Sequence, residues 1–270
     1  MECGHEVLAA SPGQTYIVND LLERGEIDRV TALDRFKKAT LRRWMRGSGV
    51  LVDFGSASGR FLHQNSDLFR AAIGVEVTPE VARFAREVFG LDIRASVDGL
   101  PDDIDVVTCW HSLEHVPADA LHGVVRGVAR RLGPRGTVIV SVPNVRSLQH
   151  RLFGRKYAFY DVPNHHHQFS LRSLDLLMAG AGLARKGLAR SVVYNVFGWL
   201  QGGLNVIGGR HNHLYDRLKR CSGPDRPWLT AAHLLMLPLV AATGIPFAAI
   251  EAGLVQRQGV ITACYANNRS

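Results

Sequence analysis

The stretch LVDFGSASGRFL, residues 51–62, sets an apolar run closed by Asp53 and Phe54 directly before Gly55, Ser56, Ala57, Ser58 and Gly59. Apolar residues of this kind read as a buried strand. The small residues beyond it let the backbone turn sharply and come close to a ligand, and the pattern then restarts as a helix. A strand, a bare turn and a helix in that order is how an α/β sheet offers backbone amides to a nucleotide-like ligand.

The alternation continues on both sides. Residues 21–45 carry apolar positions at helical spacing; GVLVDFG is then a buried strand, GRFLHQNSDL the following helix and AAIGVEV a second strand. Thr78 stands where a helix cap is expected, with Pro79 in the first turn and a helix to about Phe89. LDIRASV reads as a short third strand, IDVVTCW as a buried fourth, ALHGVVRGVARRL as an amphipathic helix and GTVIVSVP as a fifth strand. Strands separated by helices of this length imply right-handed crossovers and an α/β, doubly wound, mainly parallel sheet. Its ligand sits at the carboxyl ends of the strands. Glu76 closes the second strand 21 positions after Gly55, where an acid can accept hydrogen bonds from both hydroxyls of a ribose. Nicotinamide dinucleotides and S-adenosylmethionine (SAM) both use that arrangement.

Composition narrows the partners. The 270 residues are 46% hydrophobic, enough for a packed core, and 32 Lys and Arg against 24 Asp and Glu give a formal charge of +8. A basic surface suits anionic ligands, nucleic acid or a membrane face. The basic residues are spread through helix-like segments without interleaved aromatics, which reads against nucleic acid. Cys3, Cys109, Cys221 and Cys264 form no CxxC pair and suggest neither a zinc site nor a disulfide framework, so a cytoplasmic location is expected. The first residues, MECGHEVLAASPGQTY, lack the basic start and apolar run of a secretory signal.

Residues 228–250 run 23 positions without Asp, Glu, Lys or Arg, long enough as a helix to cross a hydrocarbon layer. Pro238, Gly244 and Pro246 interrupt them, and GVITACYAN resumes a strand pattern afterwards. Two short helices joined near Gly244 are expected. They can form a buried core pair, a lid over a greasy substrate, a true span, or a peripheral contact with the inner face of a membrane, with basic RLKR upstream meeting anionic head groups.

Five stretches, LVDFGSASGRFL, GVEVTPEVARFAR, IDVVTCWHSLEHVPAD, LGPRGTVIVSVPN and HHHQFSLRSLDLLMAGAGL, resemble in order and spacing the class I SAM-dependent methyltransferases over residues 49–183. The resemblance implies a Rossmann-like seven-stranded sheet whose last strand, GVITACYAN, inserts antiparallel. It implies an N-terminal helical segment or lid over 1–48, a SAM-binding core over 49–199, a basic and apolar helical insertion over 200–256 and the last strand over 257–270. The cofactor loop then falls on Asp53, Gly55, Ser56, Ala57 and Gly59, with Glu76 and Val77 at the ribose, Asp98 at the adenine, and Trp110 and His111 facing the methionine part or the acceptor. Ala57 stands where the family usually has glycine.

Methyl transfer from a sulfonium asks mainly for alignment, and an oxygen acceptor gains from a base that titrates near neutrality, a role suited to histidine. The catalytic candidates are His111, His165 and His167; His115, Asn144, Tyr157, Tyr160 and His166 are candidates for holding the acceptor. Ser170 is a credible helix cap just after them. No metal is expected, because consecutive histidines point alternately and no carboxylate stands at a fixed spacing from them. The expected activity is O-methylation of a small or lipophilic acceptor. A nicotinamide oxidoreductase, a non-catalytic scaffold and a SAM-binding cyclase remain rivals.

Overall fold

The computed structural model describes residues 30–162, 164–208, 211–218 and 226–267. Cys3, Cys221 and the first part of the helix read over 21–45 lie outside them. The strands are β1 (Val50–Phe54), β2 (Ala71–Val75), β3 (Asp92–Arg94), β4 (Ile104–Trp110), β5 (Leu132–Pro143), β6 (Leu183–Leu188) and β7 (Val260–Asn267). The helices are α1 (Ala32–Trp44), α2 (Arg60–His63), α3 (Pro79–Phe89), α4 (Leu121–Arg131), α5 (Leu148–Phe153), α6 (Leu171–Ala179), α7 (Val192–Ile207), α8 (His213–Leu218) and α9 (Pro227–Gly253).

One seven-stranded sheet runs in the order β3-β2-β1-β4-β5-β7-β6. Its first five strands are parallel, and β7 enters antiparallel between β5 and β6, as the resemblance implies. Both faces of the central strands are covered, so they read as continuous apolar runs: Leu51, Val52, Val106, Val107, Ile139 and Val140 are fully buried. One face packs on Val125, Val128, Leu174 and Met178 of α4 and α6, the other on Leu41, Phe61, Leu62, Ala82 and Ala85 of α1, α2 and α3. The register sets Asp53 beside Gly74 and Thr108, so the ends of β1, β2 and β4 open on one edge.

Three local expectations change. Thr78 occupies the cap position of α3, but its side chain makes no capping bond; its amide donates to Glu76 Oε1 at 2.8 Å instead. The helix after β1 is only Arg60–His63, followed by a short 3-10 turn at Ser66–Leu68. Residues 228–250 are not two helices but part of one, α9, with Pro238 and Pro246 inside it. Proline need not break a helix whose course is fixed by packing. Here Gly203 faces Val240, Gly244 lies against Trp199, and Trp199 stacks on Phe247 with ring centroids 5.0 Å apart. Glu251 then pins the helix end, accepting from Gln149 Nε2 at 2.5 Å and Trp199 Nε1 at 3.0 Å. Only 17% of the most apolar window of α9 is buried, so the helix is not a core element.

Candidate active site

The turn after β1 is held against β2 through its own backbone. Gly55 N and Ser56 N both donate to Val75 O, and Ala57 N donates to Glu76 Oε2 at 3.0 Å. Gly55 has φ +72, and a Cβ there would meet Ser112 Cβ at 2.4 Å; Gly59 has φ +79. Bare backbone is therefore required to fit the turn between the ends of β2 and β4 as well as to admit a ligand. Ala57 also lies in the left-handed region, at φ +48. Asp53, buried at the strand end, accepts from Thr108 Oγ1 at 2.6 Å, which fixes its carboxylate.

These groups border a cavity of about 640 Å³, within the range of sites for cofactor-sized ligands. Asp53, Gly55, Ser56, Ala57, Glu76, Val77, Asp98, Trp110, His111 and His115 all line it. Gly59 does not; it shapes the turn from behind, where a Cβ would strike Leu91. Trp110 Nε1, His111 Nε2 and Ser112 Oγ are buried on this wall without a hydrogen-bond partner. Orphaned polar atoms in residues that line a cavity are what a polar ligand can satisfy, and together with Glu76 they fit a nucleoside cofactor with an amino-acid tail.

His111 follows β4 directly in a left-handed conformation, φ +55, a strained position for a residue with a side chain. Its amide donates to Ser141 O at 2.9 Å, and its ring stacks on Phe159 and meets Tyr194 edge-on. Nδ1 lies 3.1 Å from Glu114 Oε1. Burial acts on both: it holds His111 well below its ordinary value and pushes Glu114 up to about 8. At that distance the tautomer of His111 follows the protonation of the acid. Protonated Glu114 donates to Nδ1 and leaves the proton on Nε2, whereas ionised Glu114 takes Nδ1–H and leaves a free lone pair on Nε2.

The other sequence candidates stand elsewhere. His165 is buried behind His115, ring centroids 4.7 Å apart, and burial lowers it to about 3. His166 is exposed. His167 is tied through its ring to Val116 O at 3.0 Å and through its amide to Glu114 O, packing the 164–169 segment onto the loop after β4. Asn144 donates to the carbonyls of Gln256 and Gln258, and the Tyr157 hydroxyl to that of Gly259, so both anchor the start of β7. Tyr160 sits beside His150. None of these six residues lines the cavity: the side chains of His167, Asn144 and Tyr157 are tied to backbone carbonyls, His166 is exposed, and His165 is buried with Nδ1 unpartnered. The sequence pattern also missed part of the wall: Leu33, Asp34 and Lys37 from α1, and Tyr194 from α7. Lys37 Nζ lies 5.6 Å from the Trp110 ring, and Asp34 pairs with Arg60 at 2.8 Å.

One ligand atom from each of Glu114, His115 and His165 falls within 4.8 Å of the others. A carboxylate therefore does stand at a set distance from two of the histidines, contrary to the spacing in the sequence. Folding brings Glu114 from the β4 loop to a histidine 51 positions later.

The described cavity, turn and sheet order can be set beside known proteins. A family model described as a methyltransferase domain matches residues 27–185. The chain belongs to the SAM-dependent methyltransferases. Its sequence is 32% identical over 132 residues to the ubiquinone biosynthesis O-methyltransferase of Methylococcus capsulatus, covering 44% of this chain and 54% of that one. The chain thus matches about half the length of that relative. Two solved structures share the methyltransferase fold: a SAM-dependent methyltransferase from Archaeoglobus fulgidus, with TM-score 0.51, 16% identity and coverage of 86% and 93%, and the cyclase SpnF, with TM-score 0.55, 16% identity and coverage of 87% and 81%. At such identities they speak for the fold alone. SAM is the cofactor of this family, and the groups on the cavity wall fit it.

Proposed function

We propose that the protein transfers a methyl group from SAM to a hydroxyl of a small lipophilic acceptor, in the cytoplasm and against the inner face of a membrane. The observation that carries this reading is His111, strained into the cavity with Nε2 unpartnered and Nδ1 on Glu114. Glu76 takes the ribose hydroxyls, Asp98 the adenine edge, and Lys37 offers positive charge to the carboxylate of the methionine part. When bound, SAM supplies an electrophilic methyl group on sulfur. His111 Nε2 would accept the hydroxyl proton of the acceptor, leaving its oxygen free to take that methyl group. Ionised Glu114 assists this step against the burial that lowers His111: uptake of the proton converts a dyad of net charge −1 into a neutral pair. Tyr194 and Trp110 supply apolar faces for the acceptor. The relative's name, a ubiquinone biosynthesis O-methyltransferase, supports an oxygen acceptor.

The test is formation of S-adenosylhomocysteine from SAM with a panel of phenols and short-chain prenylated catechols, by wild type and His111→Gln. Methylated product with the lipophilic members, lowered at least a hundredfold in the variant, is expected. Product formed without S-adenosylhomocysteine would replace methyl transfer by a cyclase-like rearrangement.

A further inference from the structure

We infer that the outer face of α9, with the end of α7, docks on the surface of an anionic phospholipid bilayer. Helix α9 is long and apolar enough to cross a membrane by length and composition, yet little of it is buried. His233, Gly244, Ala248 and Glu251 face inward, whereas Trp228, Leu235, Leu239 and Ile250 recur at helical spacing on the opposite side and are 67%, 80%, 58% and 59% exposed. An apolar strip of this length on a protein surface marks a binding face.

Charge selects the occupant. Arg226 is exposed immediately before α9, two positions from Trp228. A cation and a tryptophan together at the start of an apolar face match lipid head groups above acyl chains. The inward face explains why α9 lies on the bilayer rather than through it. Glu251 is fully buried on Gln149 and Trp199, and His233 is fully buried against His213, which bind the helix lengthwise to the enzyme. Helix α7 links this face to chemistry: Tyr194 in its first turn lines the cavity, while Val206 and Ile207 in its last are exposed among the apolar residues. A lipophilic acceptor can pass from the bilayer along α7. That delivery rests on the proposed acceptor class; the docking does not.

The experiment is flotation of the purified full chain with vesicles of phosphatidylglycerol and phosphatidylcholine, or phosphatidylcholine alone. Leu235→Glu/Leu239→Glu and Arg226→Glu are run alongside, and all proteins are titrated with SAM. Wild type is expected to float with the anionic vesicles, losing at least about tenfold in partition in the leucine variant on both lipids. The arginine variant is expected to lose only the preference for phosphatidylglycerol. SAM affinity is expected to stay equal in all three, separating loss of docking from loss of fold. Wild type left at the bottom of the gradient, or a leucine variant that floats like wild type, would overturn the inference. So would a wild-type dimer that binds no vesicles and becomes monomeric in the leucine variant, since a second copy would then cover the face. Absence of SAM binding in every protein would count against the methyltransferase reading and leave the flotation result standing.

Discussion

His111 Nδ1 and Glu114 Oε1 lie 3.1 Å apart at the end of β4, with Glu114 wholly buried and the other ring nitrogen of His111 buried without a partner in a residue that lines the cavity. The distance makes the proton on one group the switch for the other. Base function needs Glu114 ionised, and burial pushes that ionisation up to about 8.

The methylation rate with an oxygen acceptor should therefore rise with pH and level off above about 8. Glu114→Gln cannot draw the proton onto Nδ1 by charge, so kcat should fall tenfold or more and the rise should vanish, with SAM affinity retained. A rate profile that is flat from pH 6 to 9 in wild type would count against the dyad.

Stability should carry the same pair. Glu114 is raised from 4.5 to about 8 in the folded chain, so its contribution is complete below 4.5 and is lost as pH climbs through 8. His111 is lowered below 6.5, so its contribution is present above 6.5 and is lost as pH falls. Urea denaturation at pH 5.5, 7 and 8.5 should show Glu114→Gln losing much of the alkaline decline and His111→Gln much of the acid decline. Unchanged slopes in both variants would mean that the pair does not titrate on folding.

The turn after β1 separates two glycine questions. Gly55→Ala places a methyl against Ser112 at φ +72, and is expected to cost more than about 2 kcal/mol and to weaken SAM binding strongly. Ala57→Gly removes strain from φ +48 but frees the unfolded chain, so stability should move by less than about 1 kcal/mol and SAM affinity should hold or improve. Denaturation and calorimetry on the two variants give the comparison.

Tyr194 carries the acceptor side. Tyr194→Ala should raise KM for a lipophilic acceptor about tenfold while leaving SAM affinity within a factor of two, because its ring packs on His111 rather than near Glu76. Equal losses for both substrates in steady-state kinetics would place it instead as a support of the whole cavity.

What the sequence made legible follows from which forces are local. The apolar runs of β1, β4 and β5, the turn at Gly55 and the acid at Glu76 are short-range patterns, and they led to the sheet and to one cavity wall. Strand β6 carried no such signal: it lies at the sheet edge, paired only with β7, and Arg185 and Lys186 are exposed on it. Tyr194 and Lys37 were hidden for another reason, since a tyrosine in an apolar helix and a lysine in an amphipathic one look like core and surface until distant elements meet. The histidines of 165–167 show the converse. Their residue type suggested chemistry, but Val116 and Glu114, some fifty positions earlier, had already taken the hydrogen bonds of His167. Pro238 and Pro246 misled in the same way, a local breaker overridden by packing along α7.

The central claim is a SAM site built on Glu76 at the ends of β1 and β2. Calorimetric titration of the purified chain with SAM and with NADH, repeated on Glu76→Ala, tests it most directly. One SAM bound per chain, no NADH, and at least about tenfold weaker SAM binding in the variant is the expected result. A well-folded wild type that takes up NADH or binds no SAM would contradict it.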